Sequence, residues 1–140
     1  MSDIVVVGAG LSGLTSARLL QKKGHSVVVL DKGRGLGGRM ATRRITAPDG
    51  SVALFDHGAQ FFTVREPAFQ QLVDQWITLG IVREWCRGFV SEDGHPRYVV
   101  NNGMAALTKY LAQDLDVRTA TLVFAIKPCD SDPAKWTVVI

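Results

Sequence analysis

Glycines at 8, 10, 13, 37 and 38, a carboxylate at 31 and an arginine at 39 fit one chemistry by type and spacing: holding a diphosphate and the ribose beside it. Gly8-Ala9-Gly10-Leu11-Ser12-Gly13 follows directly on the apolar run Ile4-Val5-Val6-Val7. Gly8 supplies the permissive backbone for a sharp strand-to-helix turn. Gly10 lets a pyrophosphate approach the main chain, and Gly13 lets the helix pack tightly on the strands. The free N–H groups at the helix start, with the positive end of its dipole, then receive phosphate charge. Asp31 closes the run Val27-Val28-Val29-Leu30 about 20 residues on, the spacing of a carboxylate that binds a ribose hydroxyl.

The elements that position these residues follow from periodicity. Leu11, Leu14, Ala17 and Leu20 keep to one helical face, and Gly24 stops the helix after Gln21-Lys22-Lys23. Strand, helix and strand make one βαβ unit, with Ile4–Val7 read as a central parallel strand buried on both faces. Asp31 would repel a 2′-phosphate, which disfavours NADP, whereas Lys32 and Arg34 could neutralise one. NAD and FAD share an adenosine ribose and a pyrophosphate, so this first motif does not separate them. Arg39 offers a planar, permanently charged fork that suits a diphosphate better than lysine does. The opposing reading makes Arg39, Arg43 and Arg44 a solvated basic stretch.

Further along, Thr42–Ser51 with Pro48-Asp49-Gly50 reads as a turn-containing hairpin with the next strand. Residues 67–79 form a helix with Phe69, Leu72, Val73 and Trp76 as a core stripe, ended by Gly80. Residues 81–90 and 97–100 are extended around the turn Glu92-Asp93-Gly94-His95-Pro96. A helix is expected over 103–115, strands near 117–121 and 122–126, a loop over 128–135 and a last strand over 136–140. The fold class is therefore α/β, a Rossmann-like βαβ unit with a parallel sheet and the start of a second, substrate-facing β-sheet. Residues 1–64 and 101–140 form the dinucleotide-binding domain, and residues 65–100 begin the substrate-binding domain.

The stretch from Asp31 to Thr42, with the pair Gly37-Gly38 before Arg39-Met40-Ala41, resembles the glycine pair of the flavin amine oxidase superfamily. Leu54-Phe55-Asp56-His57-Gly58-Ala59-Gln60-Phe61-Phe62-Thr63 is similar to the flavin-side segment of the renalase-like branch, and Gly103-Met104-Ala105-Ala106-Leu107 continues the likeness. The resemblance covers nearly the whole chain and turns the dinucleotide into FAD. It implies that Gly8, Ala9, Gly10, Ser12, Gly13, Asp31, Lys32, Arg34, Gly37, Gly38, Arg39, Met40, Gly58, Ala59, Gln60, Phe61 and Val123 bind the cofactor. Arg39 would meet the phosphates, Gln60 and Phe61 would shape the flavin face, and the Val123 backbone would touch the adenine. One departure stands out: many relatives carry an arginine two residues before the glycine pair, where this chain has Gly35 and places Arg34 one position earlier. Related flavoproteins are considerably longer, so the chain reads as an N-terminal part of such an enzyme or a short form of it.

The implied activity is FAD-dependent oxidation: a hydride moves from a small substrate, a dihydronicotinamide dinucleotide or an amine, to the flavin, which oxygen reoxidises. Two other functions remain open, an NAD(P)-dependent dehydrogenase and a non-catalytic nucleotide-binding module. No catalytic residue is singled out. His57 beside Asp56 is read as structural, because a base must reach its proton geometrically. A net charge of +3 is mild and is accounted for by an anionic cofactor, and no nucleic-acid-binding motif is present. Cys86 and Cys129 stand far apart without CxxC spacing, so they are read as thiols in a reducing cytoplasm, with neither a zinc site nor a disulfide framework. No signal peptide or membrane span is read in the chain.

Overall fold

The computed structural model describes residues 3–88 and 94–140. Its elements in chain order are β1 (Ile4–Val7), α1 (Leu11–Lys22), β2 (Val27–Leu30), a 3-10 turn at Gly38–Met40, β3 (Thr42–Thr46), β4 (Val52–Asp56) and β5 (Phe62–Thr63). There follow α2 (Pro67–Thr78), β6 (Val82–Arg87), β7 (Pro96–Val100), α3 (Ala105–Leu111), β8 (Asp116–Arg118), β9 (Ala125–Cys129) and β10 (Asp132–Val139). The chain divides into two compact units, Met1–Gly38 with Leu111–Ile140, and Arg39–Tyr110.

The first unit is built on a three-stranded parallel sheet of order β1-β2-β8, with Ile4 opposite Val27 and Leu30 opposite Arg118. The expected α/β class with its parallel sheet is what the structure shows. The position expected for Ile4–Val7 is corrected, however. β2 is the central strand and is buried along its whole length, whereas β1 pairs with β2 alone among the described residues and exposes Val5 and Val7. An apolar tetrapeptide specifies a strand, but long-range pairing decides its rank in the sheet.

α1 buries Leu14 and Ala17 completely, and ends where the Gly24 N–H donates to the Gln21 carbonyl. Arg18 donates to the carbonyls of Leu111 (3.3 Å) and Gln113 (3.4 Å), and Gln21 to that of Asp114 (2.8 Å), so the helix is tied to the turn before β8. A two-stranded hairpin, β9–β10, completes the unit. It replaces the expected loop over 128–135: Asp132 pairs with Cys129, and a bulge follows before Trp136 pairs with Pro128. Residues 119–124, read as strand, lie outside the strands: the Ala120 and Thr121 amides donate to the Gly33 and Asp31 carbonyls, and the Phe124 amide to the Val139 carbonyl.

The second unit holds the hairpin β3–β4, whose turn is closed by Ala47 N–H to Ser51 carbonyl (2.8 Å) and by Asp49, which accepts from the Ser51 amide and hydroxyl. That hairpin matches the expectation. A second sheet of order β5-β7-β6 is antiparallel and backs onto an aromatic cluster. Phe69 and Trp76 of α2 meet edge-on at 5.9 Å, Phe62 lies 6.0 Å from Phe69, and Tyr98 lies 5.6 Å from Phe62. The stripe read on residues 67–79 is thus core, with Val73 and Trp76 its buried members. Phe89, Val90 and the turn residues 91–93 lie outside the described residues. α3 is shorter than the helix read over 103–115: Asp114 adopts φ +64°, which ends helical backbone, and the Leu115 amide turns back to Ala112.

Candidate functional site

Gly8 leaves β1 with φ +104°, a conformation that a side chain would strain, and its N–H donates to the Leu30 carbonyl at 2.7 Å. Ala9 is fully buried between two partners. Its amide donates to Asp31 Oδ2 at 2.6 Å, and its carbonyl accepts from the Gly37 amide at 3.2 Å. Gly10 caps α1 with extended backbone (φ −83°, ψ −179°) and without a side-chain acceptor, and the first turn carries no acidic residue. The helix therefore opens with its N–H groups and positive dipole end directed at whatever anion lies beyond.

The two glycine motifs meet main chain to main chain. Gly10 and Gly37 form a parallel bridge, and Gly38 is so close that an added methyl would stand 3.6 Å from Gly10 Cα. The three glycines of the first motif have distinct duties. A Cβ at Gly13 would overlap the Gly8 carbonyl oxygen, so its reason is helix-to-strand packing. A Cβ at Gly10 would meet nothing nearer than the Gly37 carbonyl oxygen at 4.0 Å, so neither its backbone angles nor its protein neighbours demand glycine. A cradle that a side chain would fill is what a diphosphate held against main chain needs.

Asp31 is half-buried and held from four sides. Its Oδ1 accepts from the Gly33 amide (2.7 Å) and its Oδ2 from Ala9, while its own amide and carbonyl bond Arg118 and Thr121. The Ala120 amide reaches the Gly33 carbonyl at 2.8 Å, so residues 120 and 121 lie against the chain just after β2. Val123 is half-buried in that segment. Each Asp31 oxygen keeps lone-pair capacity for a ribose hydroxyl. Ser12, Lys32 and Arg34 are exposed in the same unit.

The remaining candidates gather in the second unit. Arg39 is exposed and Met40 buried on the 3-10 turn. The Ala59 amide donates to the Arg39 carbonyl at 2.7 Å, and a Cβ at Gly58 would overlap that same carbonyl oxygen, so Gly58 is required for the close approach. Gln60 is exposed and Phe61 half-buried, its ring 6.0 Å from Trp85, with the Arg97 guanidinium carbon 5.8 Å from its centroid. His57 is exposed. Two residues outside the candidate set are built into this cluster: Thr42 and Asp56, opposite each other in the β3–β4 register and joined by a hydrogen bond of 2.5 Å. Their signal in the sequence was a polar residue at each open end of a hairpin. Among the described residues, no group of three or more histidine, cysteine or acidic side chains is placed to hold a metal, and no helix is long and apolar enough to cross a membrane.

Known proteins resemble this chain in sequence and fold. The chain is 36% identical to an L-amino-acid oxidase of Siganus canaliculatus over 102 residues, which is 71% of this chain and 17% of that protein. It is 46% identical over 149 aligned positions to an Arabidopsis thaliana protein named as flavin-containing monooxygenase FMO GS-OX-like 10, covering 96% of this chain and 31% of the relative. The chain thus spans less than a third of the length of these curated relatives. Among solved structures, OTEMO in complex with FAD and NADP superposes over 99% of this chain and 22% of its own, with a TM-score of 0.56 at 22% identity, a likeness of fold. The sequence model of the NAD(P)-binding Rossmann-like domain matches residues 6–76, half of the chain, from β1 into α2. The chain belongs to the NAD(P)-binding Rossmann-like domain family, and its relatives include amino-acid oxidases and proteins named as flavin-containing monooxygenases.

Proposed function

We propose that the chain binds FAD and serves an FAD-dependent oxidoreductase of the renalase-like kind, acting on a small substrate such as a reduced nicotinamide dinucleotide or an amine. The observation that carries this reading is the backbone junction of the two glycine motifs, Gly37 N–H to Ala9 carbonyl with the Gly10–Gly37 bridge. A nucleotide-binding turn needs the first motif only, and the second, Gly37-Gly38-Arg39, is the one that resembles the glycine pair of the flavin amine oxidases. The flavin, when bound, supplies acceptance of a hydride and the return of electrons to oxygen.

The protein's part is binding and orientation. The α1 N-terminus and Gly10 receive the pyrophosphate, Asp31 the adenosine ribose, the Val123 backbone the adenine, and Arg39 adds a cation for phosphate. Gln60 and Phe61 address the flavin ring, and residues 65–100 begin the substrate-binding part. Titration of the purified chain with FAD tests the reading: uptake gives a yellow protein whose flavin bands survive gel filtration. A second reading, an NAD(P)-dependent dehydrogenase, is favoured by the description of the family that matches residues 6–76. It predicts binding of a nicotinamide dinucleotide by a colourless protein.

A further inference from the structure

We infer that Thr42 and Asp56 are positioning residues for FAD binding, which hold Arg39 in fixed register; the inference rests on the FAD reading above. The two side chains form a directional relay. The Ala105 amide donates to Thr42 Oγ1 at 2.9 Å, the Thr42 hydroxyl donates to Asp56 Oδ1 at 2.5 Å, and the Met104 amide donates to the same Oδ1 at 2.9 Å. Gly103 completes the fit, since a Cβ there would stand 2.6 Å from Thr42 Cγ2 and 2.8 Å from its Oγ1.

The relay closes the open end of the β3–β4 hairpin, at the Thr42–Asp56 pair. Both strands continue from there into candidate cofactor residues: Arg39 lies three positions before Thr42, and Gln60 four after Asp56. Between these points the Ala59 amide bonds the Arg39 carbonyl at 2.7 Å, and Gly58 lies against that carbonyl. Segments 39–42 and 56–59 are thus pinned at both ends, by a backbone bond at one and by the relay at the other. The start of α3 serves as the shared anchor.

The chemistry at position 42 is demanding, because one hydroxyl must accept and donate at once. Serine does both, and valine, of the same shape, does neither and leaves the Ala105 amide without its acceptor. If the relay only caps α3, its loss lowers stability and leaves FAD affinity untouched, or changes it independently of Arg39. If it positions Arg39, the two effects overlap.

The test is FAD affinity of the purified chain, by titration of flavin absorbance, with circular dichroism confirming the fold at the working temperature. Thr42→Val is expected to weaken binding about tenfold, the scale of one charge-assisted hydrogen bond from Arg39 to phosphate. Thr42→Ser should stay within about twofold of the parent. The double variant Thr42→Val with Arg39→Ala should bind no more weakly than Arg39→Ala. Should Thr42→Val fail to fold, Asp56→Asn, which keeps a carbonyl acceptor and loses only the charge assistance, is expected to weaken binding a few-fold and to be likewise masked by Arg39→Ala. Parent affinity in the folded Thr42→Val or Asp56→Asn chain, or losses that multiply with that of Arg39→Ala, would overturn the positioning role while leaving the FAD reading intact. A parent chain that takes up no FAD overturns that reading itself, and the positioning role with it.

Discussion

At the scale of single residues, the structure separates glycines that look alike in the sequence. Gly10 is free of protein contacts that a side chain would violate, whereas Gly13 lies against the Gly8 carbonyl. Gly10→Val should therefore keep the parent's thermal unfolding midpoint and lose FAD, a pairing checked by melting and titrating the same sample. Gly13→Ala should do the reverse first, losing about 1–3 kcal/mol or more by overpacking, read from chemical denaturation. Arg39→Ala should weaken FAD binding without a change in stability, since Arg39 is exposed and removal of its charge breaks no core contact. Cys129 Sγ lies 3.2 Å from Ser131 Oγ, and that hydrogen bond holds the thiol below the ordinary cysteine range. A lowered value means more thiolate at any given pH, so the alkylation rate of Cys129 should rise at a lower pH than that of an ordinary thiol. Ser131→Ala should move that midpoint upward, as followed by iodoacetamide labelling and mass spectrometry.

At the scale of elements, what the sequence made legible was local. The strand-to-helix turn, the α1 stripe of Leu14 and Ala17, the α2 stripe of Val73 and Trp76 and the hairpin after Thr42 are each encoded within a dozen residues, and each is present. The glycine turns were legible for the same reason, since Gly8, Gly37 and Gly38 adopt positive φ and Gly13 lies against the Gly8 carbonyl. Features set by distant partners were not legible. β1 reads as a buried strand, yet its rank depends on β2 and β8 pairing with each other. Residues 119–124 have strand-like composition, yet the Ala120 and Thr121 amides are taken by the Gly33 and Asp31 carbonyls. The Thr42–Asp56 relay joins residues from two strands to a helix start far along the chain, and no spacing rule points to it. The aromatic cluster around α2 is the element most open to a stability test. Trp76, only 3% exposed, should cost about 3–5 kcal/mol on truncation to alanine, measured by denaturant unfolding.

At the scale of the whole molecule, the mild positive charge and the exposed apolar side chains fit a chain that meets an anionic cofactor and further apolar surface. Phe124, Trp136 and Ile140 are each about two-thirds exposed or more around the β9–β10 hairpin, and β1 exposes Val7. The purified chain should self-associate as its concentration rises, a change light scattering would follow, because open apolar strands invite pairing. The curated relatives it matches are more than three times its length, so cofactor binding is the property this chain can be asked to show by itself. FAD titration of the parent and of Gly10→Val, side by side, asks it most directly. Saturable uptake with persistent flavin absorbance in the parent, and its loss in an equally stable Gly10→Val, is the predicted result. A parent that stays colourless with excess FAD, or a Gly10→Val chain that binds with parental affinity, would contradict it.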